Sequence, residues 1–174
     1  NIANNMQKFY DDWWEDASKE FRYSYIDIFP NISNTITAHD VQVNSITAWD
    51  QSVVRRGVPY ELGKFNVDFK KSGEYKITLR RWPKESKLNL RDSINDYIPA
   101  RKYWDQQASG KSMNIASAFI KIGDKQYNID LSNNLKSATI NINIDSGKTS
   151  LEPAFILDNG QTSVVFYTDI DFLF

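Results

Sequence analysis

The sequence contains no cysteine and only one histidine among its 174 residues. The absence of cysteine excludes disulfides, thiolate zinc sites and a cysteine nucleophile, and it leaves the redox compartment open. His39 alone cannot build the usual histidine-rich catalytic zinc site, and no Gly-x-Ser-x-Gly segment presents a serine to it for a catalytic triad. We therefore expect no metal site and no catalytic residue in this chain.

An excess of charge of one sign is also lacking, since 21 basic and 22 acidic residues give a formal net charge of -1. Proteins that bind nucleic acid or membrane surfaces usually carry a basic excess. No apolar run approaches the roughly 20 residues of a membrane-spanning helix, and the chain does not open on a signal-like segment. We expect neither nucleic acid nor a membrane as partner, and we interpret the chain as one domain, mature or excised from a longer protein.

An amphipathic helix is predicted at the amino terminus, because apolar side chains recur there at three- and four-residue spacings. They are Met6, Phe9, Tyr10, Trp13, Trp14, Ala17 and Phe21. Such a heavily aromatic stripe must pack on the rest of this chain or on something upstream of it. We divide the chain into this helix, residues 1–22, and a second unit, residues 23–174.

From residue 23 onward the apolar period becomes two, which predicts strands. The predicted strands are residues 23–29, 64–69, 74–79, 117–122, 126–131, 138–142, 151–157 and 163–174. Turn sequences at residues 71–73, 123–124, 145–147 and 158–160 predict hairpins between neighbouring strands. The pattern predicts a mainly β fold, an antiparallel, jelly-roll-like β-sandwich.

Two long connections interrupt the strands, residues 39–63 and residues 84–112, the second with a short predicted helix around residues 90–97. Connections of that length in a compact domain tend to be functional or to pack against a neighbour. Carboxylates are plentiful, but nothing singles out two of them as an acid and base pair. Asp169 and Asp171 share a strand face, which matches a calcium site only weakly. We interpret that face as solvated.

The strand that ends at Leu79 is followed by Arg80, Arg81, Trp82 and Pro83. Strand alternation predicts Arg81 at the rim of the core, where its guanidinium needs a carboxylate or several carbonyls. The same alternation predicts Arg80 and Trp82 side by side on the open face. That pair suits a sugar, an anion or an interface, and it equally suits an indole folded back over the edge of the sandwich.

Three segments together resemble the C-terminal region of bacterial arylsulfatase-type sulfatases. They are "TLRRWPKES" (residues 78–86, preceded by "GKFNVDFKKSGEYKI"), "TAHDV" with "AWDQSVVRRG" (residues 37–41 and 48–57), and "YDDWWEDAS" followed by "YSYIDIF". The closing "LEPAFILDNGQTSVVFYTDIDF" resembles the last hairpin of that family. The chain departs from the family at Val41, where family members usually carry tryptophan, and it lacks the Cys/Ser-x-Pro-x-Arg motif that is converted to formylglycine.

The resemblance implies a non-catalytic accessory domain that packs on a sulfatase catalytic domain in cis and contributes to binding a sulfated glycan or another sulfate ester. It implies no cofactor in this chain, calcium and formylglycine in the missing catalytic domain, and a periplasmic or secreted location. The alternative is a carbohydrate-binding β-sandwich module, and a small enzyme in its own right is disfavoured. The residues expected at a ligand or interdomain contact are Arg80, Arg81, Trp82, Trp49, Gln51, His39, Asp40 and Asp50. Among them, Arg81 is expected to pair with Asp40 or Asp50.

Overall fold

The computed structural model describes residues 2–42, 51–57, 61–97, 99–100, 102, 109–131 and 136–174. Two β-sheets form a sandwich, which confirms the predicted fold class. The larger sheet has the order β1 (Ile26–Ile28), β3 (Phe65–Phe69), β8 (Gly147–Leu157), β5 (Ile115–Ile122), β6 (Lys125–Asp130), with β9 (Thr162–Val164) also paired to β8. The smaller sheet has the order β2 (Asn34–Thr37), β10 (Tyr167–Phe172), β4 (Gly73–Arg80), β7 (Ala138–Ile144).

The core lies between the two sheets and follows the period of two in the sequence. In β3, Phe65, Val67 and Phe69 are buried while the intervening residues are partly exposed. In β4, Tyr75, Ile77 and Leu79 are fully buried, as the alternation predicted. Strand β1 pairs with β3 in parallel, whereas the other strand pairs of the described residues are antiparallel.

Two of the four predicted hairpins are confirmed and two are wrong. The turns at residues 123–124 and 158–160 join β5 to β6 and β8 to β9, which are neighbours in the larger sheet. The turns at residues 71–73 and 145–147 instead join β3 to β4 and β7 to β8, whose members belong to different sheets. Turn residues dictate a reversal of the chain, but they do not dictate which sheet receives the next strand.

The helix predicted at the amino terminus is present as α1 (Ile2–Ala17), followed by a 3₁₀ helix (Ser18–Tyr23). The predicted strand at 163–174 is two strands, β9 and β10, in different sheets. Strand β2, the short helix α2 (Gln51–Arg55) and 3₁₀ turns at Ala38–Asp40 and Lys84–Ser86 were not expected. The helix expected around residues 90–97 is absent from the described part of that segment, residues 90–97, which holds only a turn at its start.

Both long connections begin at the same end of the sandwich. Tyr167, the first residue of β10, is paired with Thr37 at the end of β2 and with Arg80 at the end of β4. The chain leaves β2 into the first connection and β4 into the second, so the described parts of both connections start from this end. Trp82 and the two arginines therefore lie where the two connections meet.

Candidate functional site

Arg81 organises the two connections through its guanidinium group, which is fully buried with 0% of its surface exposed. Its Nε and Nη2 donate to the carbonyl of Val54 at 3.3 and 2.9 Å, and Nη2 also donates to Lys111 at 2.7 Å. Its Nη1 donates to the carbonyls of Asp92 at 2.9 Å and Leu90 at 3.5 Å. All five N–H donors of the group are thereby used, and three chain segments are held together.

Backbone carbonyls, rather than a carboxylate, compensate the buried charge of Arg81. Burial lowers the pKa of the guanidinium from its ordinary value to about 10, and the charge of Asp92 opposes that shift. The group stays protonated at neutral pH, because even this lowered value lies well above it. The indole of Trp82 adds a cation–π contact, with the Arg81 Cζ 4.4 Å from the ring centre. The expectation of several carbonyls is confirmed, and the expected ion pair with Asp40 is wrong.

Arg80 lies on the opposite side of β4 and forms a buried ion pair with Asp169 of β10. Its Nε and Nη2 donate to the two carboxylate oxygens at 2.7 and 3.0 Å, and its Nη1 donates to the carbonyl of Trp82 at 2.8 Å. Thr35 donates to the same carboxylate at 2.7 Å, and the Lys84 amine lies 3.4 Å from it. The two paired groups are therefore buried on the face of the smaller sheet opposite the core, where they hold β4 and β10 together.

Asp169 is only 1% exposed, so the expected solvated face is wrong at this position. Burial acts to raise the pKa of its carboxyl, but hydrogen bonds from Arg80 and Thr35 and the positive charges of Arg80 and Lys84 hold the pKa below its ordinary value. The carboxylate is therefore ionised at neutral pH. Its partners make it a structural anion rather than a calcium ligand.

Trp82 is 4% exposed and Arg80 is 8% exposed, so the expectation that they lie on an open face is wrong. For Trp82 the physical reason is that β4 ends at Arg80, and beyond the end of a strand the alternation no longer decides the direction of a side chain. Arg80 does lie on the predicted side of β4, but there it pairs with Asp169 of β10 and is buried. The Trp82 Nε1 is buried and has no hydrogen-bond partner among the residues that the structure describes. Neither side chain offers a surface on which a sugar ring or an anion stacks in this conformation.

The remaining expected contact residues come from the first connection. His39 and Asp40 are exposed in a 3₁₀ turn that begins after Thr37. The Asp40 carboxylate accepts hydrogen bonds from the backbone N and the hydroxyl of Thr37, both at 3.0 Å, and so caps that turn. Gln51 begins α2. Trp49 and Asp50 lie outside the described residues.

Two further arginines hold the same connections, and the sequence analysis did not single them out. Arg55 of α2 donates to the carbonyl of Asp96, and Arg91 donates to the carbonyl of Ile115 at 2.7 Å. Lys111 N donates to the Arg55 carbonyl at 2.8 Å. The presence of arginines in long connections without regular structure could have indicated this role. Each guanidinium can donate to several backbone carbonyls that are not hydrogen bonded within a sheet.

The second notable surface is the apolar face of α1, on which no residue is buried. Six large apolar side chains there are between 44% and 79% exposed: Ile2, Met6, Phe9, Tyr10, Trp13 and Trp14. Three of the rings contact one another, with Tyr10 stacked on Trp14 at 6.3 Å between centroids. A contiguous exposed apolar face of this kind marks an interaction site.

The described residues include no group of three or more histidine, cysteine, aspartate or glutamate side chains arranged to hold a metal ion. In the same part of the chain, no helix is long and apolar enough to cross a membrane.

The structure is thus a β-sandwich domain with two distinct features. Buried arginines bind the described parts of its long connections, and the amphipathic helix α1 exposes its apolar face. A comparison with protein-family models finds no match for the chain, and a search of curated proteins finds none either.

Proposed function

We propose that this chain is the non-catalytic C-terminal accessory domain of a sulfatase-type hydrolase, and that α1 packs on the catalytic domain of the same protein. The exposed aromatic face of α1 carries the proposal. Fully burying one Phe- or Leu-sized side chain contributes about 1.5–3 kcal/mol. Burial of six exposed side chains of this kind against a partner would therefore be favourable. The resemblance of the sequence to sulfatases suggests the catalytic domain as that partner.

The sandwich supports this role because side-chain hydrogen bonds hold the described parts of its two long connections together. Arg81 and Arg55 bind carbonyls of both connections, so the end of the sandwich is prepared for packing before a partner arrives. The proposal gives Arg81 no contact with sulfate, because all five of its donors are bound within the chain. Any contribution to holding a sulfate ester falls to exposed neighbours such as His39.

The first test is to read the coding sequence upstream of this chain. We expect an in-frame Cys/Ser-x-Pro-x-Arg motif within a catalytic domain. A continuous reading frame without that motif would refute the assignment to a sulfatase. Hydrolysis of 4-nitrophenyl sulfate by this chain alone would refute the non-catalytic role.

The second test uses the complete protein and the double substitution Trp13→Ser/Trp14→Ser. We expect the variant to release the sandwich more readily in limited proteolysis, because the helix loses its two indoles at the interface. The matched control is Ile32→Ser, which removes a side chain that is 55% exposed outside the helix. Equal proteolysis of the variant and the control would show that α1 is not the contact. In this chain alone, Ile32→Ser should change the free energy of unfolding by less than about 0.5 kcal/mol.

A further inference from the structure

A groove lies on the outer side of the larger sheet, where β8 changes partners. Strand β3 pairs with β8 over residues 147–151, and β9 pairs with it over residues 154–156. Glu152 and Pro153 therefore face a gap between the two neighbouring strands. The groove has a volume of about 400 Å³, within the range of ligand pockets. It is lined in part by Gln42, Lys64, Phe119, Glu152 and Ala154.

The apolar part of the groove includes the ring of Phe119 beside Ala154, together with Leu62 and Pro153. Phe119 and Ala154 are paired across β5 and β8. Ala118 and Ile120, the neighbours of Phe119 in β5, are in the core, so the alternation of the strand places Phe119 on the outer side. Phe119 is only partly buried, which leaves ring surface open to a ligand.

Four polar side chains line the groove beside this apolar surface: Gln42, Glu61, Lys64 and Glu152. Gln42 and Lys64 are fixed by a reciprocal backbone bridge, with N to O distances of 2.8 and 3.2 Å. The Glu152 carboxylate lies 3.9 Å from the Lys121 amine, which is too long for a hydrogen bond. Within the described part of the chain, the side chains of Gln42, Lys64 and Glu152 make no hydrogen bond, so their donors and acceptors are available to a ligand.

Charges of both signs meet at the groove among the described residues. Glu61, Lys64 and Glu152 line it, and the Lys121 amine lies 3.9 Å from the Glu152 carboxylate. The pattern suits a molecule with one apolar face and hydroxyl groups that both donate and accept hydrogen bonds. A sugar ring has this chemistry.

We propose that this groove binds a neutral saccharide, with one sugar ring against Phe119 and hydroxyl groups hydrogen bonded to Gln42, Lys64 and Glu152. The groove shares no residue with α1 or with Arg81 and the carbonyls that Arg81 binds. It does not depend on the role proposed for the whole chain. A sulfated glycan would engage it only through an unsulfated sugar unit.

The test is a titration of the full chain with neutral hexasaccharides (cellohexaose, xylohexaose, mannohexaose and maltohexaose) and with a chondroitin sulfate hexasaccharide, followed by calorimetry and NMR. We expect at least one neutral saccharide to bind with a Kd below about 1 mM. Phe119→Ala should weaken that binding by about tenfold or more. Tyr97→Ala, which removes an exposed aromatic ring outside the groove, should leave binding unchanged.

Glu152→Gln is a second variant that alters the groove without removing packing. It should weaken binding by about threefold or more, because a charged acceptor becomes a neutral amide. Three results would each overturn the proposal: no binding of any neutral hexasaccharide at about 10 mM, binding of the sulfated saccharide alone, or binding that neither Phe119→Ala nor Glu152→Gln changes. A failed upstream test of the sulfatase assignment would leave this proposal intact, since the titration uses this chain only.

Discussion

Replacing Arg81 by lysine should destabilise the domain strongly although the charge is kept. The guanidinium reaches four carbonyls in three segments with a planar arrangement of five donors. An ammonium group has three donors at one point and cannot span the same carbonyls. At least two carbonyls should lose their partner.

The magnitude follows from those lost bonds. A buried carbonyl without a partner costs about 1–3 kcal/mol. The Val54, Asp92 and Lys111 contacts are only partly buried, so water can replace some of the loss. We therefore expect Arg81→Lys to lower the free energy of unfolding by about 2–4 kcal/mol, a large share of the about 5–15 kcal/mol of a typical domain.

Urea unfolding followed by tryptophan fluorescence measures this loss. With an m value of about 2 kcal/mol/M, the midpoint should fall by about 1–2 M. Hydrogen exchange should accelerate first at the amides of Lys111 and Met113, which bond to the connections, and last at Ile77 in the core.

The matched control is Arg56→Lys. Arg56 is exposed and has one side-chain bond, to Ser52 at 3.3 Å, so its replacement should change stability by less than about 0.5 kcal/mol. If Arg81→Lys is as mild as this control, the carbonyls do not depend on the guanidinium and the account of the connections given above is wrong.

Two more predictions concern stability. Asp169→Asn should cost about 3 kcal/mol near neutral pH, because it breaks the buried pair with Arg80. Since the pKa of Asp169 in the folded state is below its ordinary value, this stabilisation is complete above about pH 4 and is lost as the pH falls through the folded pKa. The difference in urea midpoint between wild type and variant should therefore shrink from about pH 7 to about pH 3. A constant difference would contradict the assignment. Gly57→Ala should cost at least about 2 kcal/mol more than Gly160→Ala. Both glycines have positive φ, 64° and 80°, but only at Gly57 would a Cβ meet backbone oxygens, at 2.5 and 2.6 Å. Equal urea midpoints for the two variants would contradict this comparison.

The sequence predicted what depends on local periodicity. Alternation in β4 placed Tyr75, Ile77 and Leu79 in the core, and its extension to Arg81 predicted that the guanidinium needs a carboxylate or several carbonyls, of which the carbonyls are observed. The period of three to four residues placed α1 within a few residues of its observed bounds. Each of these features is decided by side chains that are neighbours along the chain.

The sequence did not predict that Arg80 is buried by an ion pair with Asp169. Its partner Asp169 is 89 residues away and belongs to a strand whose place beside β4 is a tertiary result. The prediction that Trp82 is exposed was also wrong, because Trp82 lies two residues beyond Arg80, where β4 ends. The carbonyls that Arg81 binds lie on irregular segments, for which no periodicity exists.

The Arg80-Arg81-Trp82 segment has a structural role, and its side chains are not free to bind a ligand in this conformation. For Arg81 to contact a sulfate or a sugar, at least one of its five internal hydrogen bonds would have to break, and the released carbonyl would lose its partner. In this conformation Arg81 therefore stabilises the described parts of the two connections and has no donor left for a ligand. We propose recognition at two other surfaces, the exposed aromatic face of α1 and the groove at Phe119. Because these two surfaces share no residue, a variant in one should leave the binding measured at the other unchanged.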